Sequence, residues 1–271
     1  MRPICLDDPE TFVVEAEIAP SRPRTKKKPK LMVRPKIEHL SNGWYLSCKT
    51  LMDFVLATVL LVLAAPVIFV SAALVRASSR GPAFYTQTRV GRDGRLFTIF
   101  KIRTMVHECE SLSGPRWSIP GDPRITRVGH FLRATHLDEL PQLLNVLRGE
   151  MSLIGPRPER PEFTSKLERA LPAYPERLRV RPGVTGLAQV HLPGDTSLAS
   201  VRVKLAHDLF YIQQMSPALD IRILFCTLLR VLGVSYESIR RLSGMPNEQV
   251  IERAVQLVMD GGPVWALSQS A

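Results

Sequence analysis

One apolar stretch dominates the pattern along the chain, at residues 51–75, where Asp53 is the only charged residue. As an α-helix, a stretch of 25 residues would reach roughly 37 Å, enough to cross a hydrocarbon core of about 30 Å. Pro66 lies inside it, and proline removes a backbone hydrogen bond and clashes with the preceding turn. The stretch predicts either a kinked membrane-spanning helix or a re-entrant helix that turns at Pro66 and leaves on the side it entered.

Basic residues flank this stretch at both ends. Arg34, Lys36 and Lys49 precede it, and Arg76 and Arg80 follow it. A spanning helix is usually positive on one side only. The charges therefore agree with the re-entrant path, although the residues alone leave a kinked span equally open.

Residues 83–105 predict a β-hairpin. Two β-prone runs flank the segment Gly91-Arg92-Asp93-Gly94, and Asp-Gly between such runs is a strong hairpin signal. Lys101 and Arg103 would point to the same face of the second strand. That face is either merely solvated or a pair of phosphate-binding cations.

Helical periodicity governs most of the remaining chain. Apolar spacing predicts helices at 136–147, with Thr135 as N-cap, and at 198–215, 219–233 and 246–259. The fold class expected is α+β and mainly helical.

Charge adds a hint about partners. The 271 residues carry a formal net charge of +11, which suggests anionic partners. Eight basic residues and no acidic one lie between Arg22 and Lys36. This tail is interpreted as a solvated arm, a membrane-attracted segment or a nucleic-acid arm. Few aromatics interleave with its charges, so nucleic-acid binding is the least supported.

The adjacent carboxylates Asp138 and Glu139 are the strongest candidates for chemistry. Their plain explanation is that they complement a helix dipole and cap free amides. Many arginines surround them in sequence, and arginine forks suit phosphate oxygens, whereas a carboxylate pair suits Mg²⁺. Phosphoryl chemistry at a bilayer surface is therefore the functional hypothesis, with salt bridges within the fold as the alternative.

At these residues the sequence strongly resembles the bacterial sugar transferase family, the monotopic polyprenyl-phosphate phosphoglycosyl transferases. The resemblance runs from about Lys49 to Val231. Its blocks are the apolar segment with a central proline, RVGRDGRLFTIFKIRTM, DPRITRVGHFLRATHLDELPQLLNVLRGEMSLIGPRPERPEF and RPGVTGLAQV.

The resemblance implies a reaction and its residues. A sugar-1-phosphate moves from a UDP-sugar to polyprenyl (undecaprenyl) phosphate with release of UMP, as the first membrane step of exopolysaccharide or glycan biosynthesis. Asp138 is implied as the nucleophile that forms a phospho-sugar aspartyl intermediate, and Glu139, with Asp138, as the holder of Mg²⁺. The implied substrate- and phosphate-binding residues are Lys101, Arg103, Arg133, Arg157 and Gln189.

The resemblance also implies a place in the cell. It predicts a re-entrant helix broken at Pro66 in the bacterial inner membrane, with a catalytic domain that contacts lipid and faces the cytoplasm. It further implies a small member without a large preceding membrane domain, with interfacial amphipathic helices around the catalytic site. On this basis we divide the chain into a disordered basic tail (1–40), a membrane-associating re-entrant helix (41–82), a catalytic domain (83–235) and a C-terminal helical extension (236–271). A homodimer is plausible, and no nucleic acid is expected as a partner.

Two departures from the family pattern stand out. Ala65 replaces the serine that usually precedes the central proline, and residues 191–196 replace an Asn-Gly-Arg segment. The second departure leaves open a catalytically inactive membrane-tethered scaffold of a polysaccharide assembly system. The transferred sugar, the polyprenol length and the final glycan are not encoded in any single motif.

Overall fold

A computed structural model describes residues 43–111, 114, 116–119, 121–194, 197–242, 250, 251, 253 and 256. The predicted basic tail at 1–40, most of the helix predicted at 246–259 and part of segment 191–196 lie outside these residues. The helices are α1 (Gly43–Ser78), α2 (Arg127–Ala134), α3 (Leu143–Leu147), α4 (Pro161–Ala170), α5 (Leu187–His191), α6 (Leu198–Gln214), α7 (Pro217–Val231) and α8 (Tyr236–Leu242). The strands are β1 (Phe84–Val90), β2 (Leu96–Ile102), β3 (Ser152–Ile154) and β4 (Gly183–Thr185).

The long apolar stretch forms α1, a single helix that runs through Pro66. Within the described residues it is the one helix long and apolar enough to cross a membrane. A turn between two helices at Pro66 was expected, and the structure instead keeps one helical element on both sides of the proline. The re-entrant path in a membrane stays a prediction.

Both ends of α1 pack against the rest of the protein. Near its start, Lys49, Asp53 and Ala57 are buried at intervals of one turn, and near its end Ser71 and Val75 are buried. Side chains in between are largely exposed, as at Leu63. The two ends of the apolar helix are therefore held by the same body of the protein.

Six polar residues fix the start of α1 to that body, and we call them the anchor cluster: Tyr45, Lys49, Asp53, Ser152, Tyr211 and Asp220. The Asp220 carboxylate accepts hydrogen bonds from the Tyr45 and Tyr211 hydroxyls at 2.9 Å each and from Lys49 Nζ at 2.8 Å. Asp53 accepts from the Ser152 hydroxyl at 2.6 Å. Each buried carboxylate in this cluster is thus hydrogen-bonded, as burial of charge requires.

The predicted β-hairpin is confirmed. β1 and β2 pair antiparallel in the register Phe84↔Ile102 to Val90↔Leu96. Asp93 and Gly94 both have positive φ, 56° and 75°, as a tight turn between twisted strands requires. The hairpin directs Lys101 of β2 toward the segment that carries the acidic pair.

A second sheet was not predicted. β3 and β4 pair in parallel, with Ser152 opposite Gly183 and Ile154 opposite Thr185. Strands of three residues show too little alternation to be recognised from sequence. The approach is close, since a Cβ on Gly183 would lie 2.1 Å from the Gly155 amide nitrogen, so glycine is required there.

The helix predicted at 136–147 is wrong in its first half. A 3-10 helix spans Leu137–Gln142 and passes directly into α3. Pro141 lies within it and cannot donate to the carbonyl of Leu137, so an α-helical turn there would lose a bond. Thr135 is not an N-cap but the C-cap of α2, where its hydroxyl donates back to the Phe131 carbonyl at 2.9 Å.

The helices predicted at 198–215 and 219–233 are confirmed as α6 and α7, with ends shifted by one or two residues. Their inner faces form the main core together with β3, α3 and the Tyr174–Arg179 3-10 helix. Ile239 of α8 is fully buried in the same core. This core supports the segments that carry the candidate site.

Candidate active site

The acidic pair lies in the first turn of the Leu137–Gln142 3-10 helix. The residue before that helix, His136, has a left-handed backbone (φ 56°, ψ 16°). A non-glycine residue in that region is strained, and such strain persists where the surrounding structure imposes it. The reversal ends α2 and turns the chain so that Asp138 and Glu139 meet β2 and the turn after β3.

Glu139 is held by two cations. Lys101 Nζ lies 2.7 Å from its Oε1, and Arg157 forms a fork with its Nη2 at 2.5 Å from Oε1 and its Nη1 at 3.2 Å from Oε2. Burial disfavours ionisation of Glu139, but Arg157 and Lys101 outweigh it and hold the pKa well below its usual range. Glu139 is therefore a permanent anion that positions two cations.

Asp138 has the opposite environment. Its side chain is almost buried, 7% exposed, and no donor in the described part of the chain hydrogen-bonds to its carboxylate. Burial raises its pKa to about 6, and the neighbouring Glu139 charge adds to that rise. Lys101, Arg133 and Arg157 lower the pKa in part. Asp138 is therefore a desolvated carboxylate that is ionised at neutral pH, and its oxygens are available to act as a nucleophile.

This arrangement contradicts the plain explanation of the pair as helix caps. Among the described residues, no backbone amide donates to either carboxylate; the partners of Glu139 are side chains from distant segments. The two adjacent acids differ in pKa because only one of them has ion-pair partners. Such a separation is typical of acids with different roles in one site.

The structure brings Lys101, Arg133 and Arg157 to the acidic pair. Lys101 and Arg157 contact Glu139 directly. Arg133 donates from Nε to the Thr104 hydroxyl at 2.8 Å, and its charge acts on Asp138. These three cations surround a position where a phosphate group would be stabilised.

The structure places Arg103 elsewhere. β2 ends at Ile102, so Arg103 does not continue the face of Lys101 as expected. Its buried guanidinium donates to the carbonyls of Arg80 at 2.8 Å and Pro82 at 2.6 Å, just beyond the end of α1. In the described structure it fixes the loop after the apolar helix.

Gln189 and Arg157 both line a small cavity of mixed polar and apolar character. Its Nε2 donates to the Val184 carbonyl at 2.9 Å. Its Oε1 is buried and has no hydrogen-bond partner within the described residues. Gln189 therefore offers an acceptor beside Arg157, one step removed from the acidic pair.

Two supporting residues were missed from the sequence. Arg177 donates to the Arg157 carbonyl at 2.7 Å and pairs with Asp208 at 2.8 Å, which fixes the backbone of the Arg157 turn. Asn145, fully buried, accepts from the Phe100 amide and donates to the Thr98 carbonyl, which fixes the strand of Lys101. Both act between segments distant in sequence, and no local pattern marks them.

The described residues contain no group of three or more potential metal ligands among His, Cys, Asp and Glu. The chemistry of Asp138 would nevertheless suit a hard cation, since no donor among the described residues hydrogen-bonds to its carboxylate oxygens. Mg²⁺ is often held by one or two carboxylates together with substrate phosphates. The oxygens of Glu139 are already engaged by Lys101 and Arg157, so Asp138 is the better candidate ligand.

Sequence comparison finds known proteins that are similar to the part of the chain that contains this site. A family model described as Bacterial sugar transferase matches residues 44–234. A UDP-N-acetylgalactosamine-undecaprenyl-phosphate N-acetylgalactosaminephosphotransferase of Aeromonas hydrophila is 39% identical over 73% of this chain and 49% of its own length. A putative undecaprenyl-phosphate N-acetylgalactosaminyl 1-phosphate transferase of Bacillus subtilis is 46% identical over 54% of this chain and 84% of its own length.

A UDP-glucose:undecaprenyl-phosphate glucose-1-phosphate transferase of Caulobacter vibrioides is 44% identical over 66% of this chain and 67% of its own length. The chain thus spans about half of the Aeromonas relative and about two thirds of the Caulobacter relative. The named sugars differ between these relatives.

Proposed function

Because the chain belongs to the bacterial sugar transferase family, we propose that it transfers a sugar-1-phosphate from a UDP-sugar to a polyprenyl phosphate and releases UMP. The observation that carries this proposal is the Asp138 carboxylate: buried, without a hydrogen-bond donor among the described residues, and next to three cations. The names of the relatives supply the substrate classes, a UDP-sugar and undecaprenyl phosphate.

In the proposed first step, an Asp138 carboxylate oxygen attacks the phosphorus that bears the sugar. The bond between that phosphorus and the bridging oxygen breaks, and UMP leaves with the electron pair. In the second step, a phosphate oxygen of the polyprenyl phosphate attacks the same phosphorus, and the Asp138 carboxylate leaves. Dividing the transfer into two displacements at one nucleophile predicts ping-pong kinetics.

The surrounding residues have distinct proposed roles. Lys101, Arg133 and Arg157 would stabilise negative charge on the phosphoryl group as it is transferred. Glu139 would hold Lys101 and Arg157 in place. The side chain of Arg157 is about half exposed (46%), so it can also contact a phosphate that enters from solvent.

A Mg²⁺ ion is proposed as cofactor, with Asp138 as a ligand and Glu139 joining only if it exchanges one of its cation partners. When bound, Mg²⁺ neutralises charge on phosphate oxygens. A titration of activity with EDTA, restored by Mg²⁺, tests this proposal. Full activity in EDTA would contradict it.

We further propose that the protein is monotopic, at the cytoplasmic face of the bacterial inner membrane. Both ends of α1 pack against the same body, which does not suit a helix with its ends on opposite sides of a membrane. An exposed apolar stripe on α7 (Ile221, Phe225 and Leu228) would lie at headgroup level. Labelling of single cysteines at both ends of α1 from the cytoplasmic side only would support this topology, and labelling of the two ends from opposite sides would contradict it.

The test of the reaction is release of UMP. Protein in nanodiscs receives Mg²⁺, undecaprenyl phosphate and a panel of UDP-sugars, beside the Asp138→Asn variant. UMP release with one sugar, absent in the variant, supports the proposal and names the donor. No release with any donor from folded protein would contradict it and favour the scaffold. We also propose a role in exopolysaccharide synthesis, because that function appears in the name of a Rhizobium leguminosarum relative. A homodimer is a further proposal, and measurement of particle mass in nanodiscs tests it.

A further inference from the structure

An apolar groove of about 460 Å³ lies between α1 and the 3-10 helix that carries the acidic pair. The residues that line it come from α1, the start of β1, the 3-10 helix and α3, and none of them is charged. Six of them carry the argument: Leu61, Ala65, Phe69, Ala72, Phe84 and Pro141. The groove is open on one side, and Phe69 is 76% exposed and Phe84 47% exposed.

We propose that this groove binds the first isoprene units of the polyprenyl phosphate, an inference that rests on the proposed function. Pro141 lines the groove and belongs to the same 3-10 helix as Asp138, three residues further on. In a polyprenyl phosphate the phosphate is attached directly to the first isoprene unit. When that phosphate reaches Asp138, the chain would therefore leave along the apolar surface that begins at Pro141, which is this groove.

A membrane phospholipid fits this position less well. Its acyl chains are separated from the phosphate by a glycerol ester unit, which is polar and would lie against the apolar wall at Pro141. Unpaired polar groups against apolar surface cost free energy. The occupant that suits both the acidic pair and the groove is a chain that is apolar from its first carbon.

The volume of the groove suits a short part of the chain. A cavity of about 150 Å³ accommodates benzene, which has six carbon atoms. By that ratio, 460 Å³ accommodates roughly 18 carbon atoms, or about three to four five-carbon units. The rest of the polyprenyl chain would extend into the membrane beside α1.

Small residues on α1 create the groove. Ala65 and Ala72 are seven residues apart and so lie on one face of the helix, with Phe69 between them. Large side chains at the two alanines would fill the space against Pro141. The exposed rings of Phe69 and Phe84 then form rims that a methyl-branched chain would cover.

The test places the same bulky residue on two faces of α1. Ala72→Trp fills the groove. Leu63→Trp is the matched control, because Leu63 is nine residues away, on the opposite face, and 68% exposed. Both variants are compared with the parent protein in nanodiscs, by exchange of labelled UMP into UDP-sugar, which needs no acceptor, and by transfer to isoprenyl phosphates of one to eleven units.

For Ala72→Trp we expect unchanged UMP exchange and a KM for long acceptors raised by about tenfold, the ratio expected when about two methylene groups lose their burial. We also expect the parent KM to fall with acceptor length up to about four units, and this dependence to disappear in the variant. Leu63→Trp should behave as the parent. If the parent protein completes the transfer but shows no exchange of labelled UMP, the KM for the UDP-sugar replaces the exchange rate as the control measurement.

Two results would overturn the proposal. One is an unchanged acceptor KM in Ala72→Trp; if this variant is also retained more weakly on phospholipid vesicles, the groove is assigned to bulk lipid. The other is an equal rise of the acceptor KM in Leu63→Trp, which would indicate a general effect on membrane insertion.

Failure of the proposed function is recognised separately, because the parent then releases no UMP with any donor. In that case a photoreactive farnesyl phosphate, cross-linked in nanodiscs and mapped by mass spectrometry, decides on the groove alone. Cross-links to the α1 segment 61–73, competed by undecaprenyl phosphate and reduced in Ala72→Trp but not in Leu63→Trp, support it. Cross-links elsewhere overturn it.

Discussion

The anchor cluster and the candidate active site both bury acidic residues, and the two are built in opposite ways. In the anchor cluster, Asp220 is fully buried and accepts hydrogen bonds from Tyr45, Lys49 and Tyr211. In the candidate active site, Asp138 is nearly as buried, yet no donor among the described residues hydrogen-bonds to it. One group satisfies its charge and the other leaves a carboxylate unsatisfied.

The difference shows which cluster stabilises the fold and which is available for chemistry. A buried ion pair is strongly destabilised by the loss of one partner, because the remaining charge is then buried without compensation. A buried carboxylate without donors reduces stability, and it is kept ionised only by nearby cations. The anchor cluster therefore holds α1 to the rest of the protein, whereas the Asp138 carboxylate remains free to react with a substrate. The same substitution, Asp to Asn, should have opposite effects in the two places.

The largest expected effect is on activity at Asp138. Asp138→Asn removes the nucleophile with little change in shape, so UMP release should fall by at least about 10³-fold. The measurement is initial UMP release at saturating donor. Retention of more than about a tenth of the parent rate would show that another group attacks the phosphorus.

The next largest effect is on stability at Asp220. Among the described residues, Asp220→Asn leaves the buried Lys49 ammonium with only Asp53, at 3.8 Å, as a charged partner. Breaking a buried pair in this way costs about 3–5 kcal/mol. Thermal unfolding in nanodiscs should show a clear fall in Tm, while activity per folded molecule stays near the parent level. An unchanged Tm would mean that the anchor cluster does not hold α1.

The two clusters also differ in how far the sequence predicts them. Asp138, Glu139, Lys101 and Arg157 were expected to act together, because each lies in a block with a recognisable pattern. The structure joins Lys101 and Arg157 to Glu139 and leaves Asp138 beside them. Lys49 and Asp220 are 171 positions apart, and no periodicity links residues at such a distance. Arg103 was misplaced because the end of a strand depends on tertiary contacts, here with the carbonyls after α1.

A smaller effect on activity is expected when the two-point contact of the Arg157 guanidinium with Glu139 is removed. Arg157→Lys keeps the positive charge but loses the two-point contact with the Glu139 carboxylate. We expect kcat/KM to fall by about 10- to 100-fold, since the phosphate would meet a flexible point charge. Arg92→Lys is the matched control, because Arg92 lies exposed in the hairpin turn and its ion pair in the described structure is with its neighbour Asp93. Equal losses in both variants would remove Arg157 from the site.

The change of kcat/KM with pH should be smaller than the loss in Arg157→Lys. Before Mg²⁺ binds, burial and the adjacent Glu139 charge raise the pKa of Asp138 to about 6, and only the ionised form can attack. The value of kcat/KM should therefore be constant above pH 7 and fall with decreasing pH through about 6, to roughly a tenth at pH 5. Glu139 does not titrate in this window, because Arg157 and Lys101 hold its pKa well below the usual range. An activity that stays constant down to pH 4.5 would show that Asp138 is not the titrating nucleophile.

The smallest expected effect is a gain in stability in Asp138→Asn, the same variant that should lose the most activity. The pKa of Asp138 is raised to about 6 in the folded protein, against about 3.9 in an unfolded chain. An acid with a raised pKa favours folding in its protonated form. Its ionisation therefore destabilises the fold above pH 6, and the penalty disappears as pH falls toward 4.

Asp138→Asn removes this penalty, so its Tm should exceed that of the parent at pH 7.5, by an amount equivalent to about 1–3 kcal/mol, and match it near pH 4. Asp208→Asn is the matched control, since Asp208 is buried but paired with Arg177 at 2.8 Å. The control should lower Tm at pH 7.5. If both variants lower Tm equally, then Asp138 is stabilised in the fold like any other paired acid, and the contrast between the two clusters does not exist.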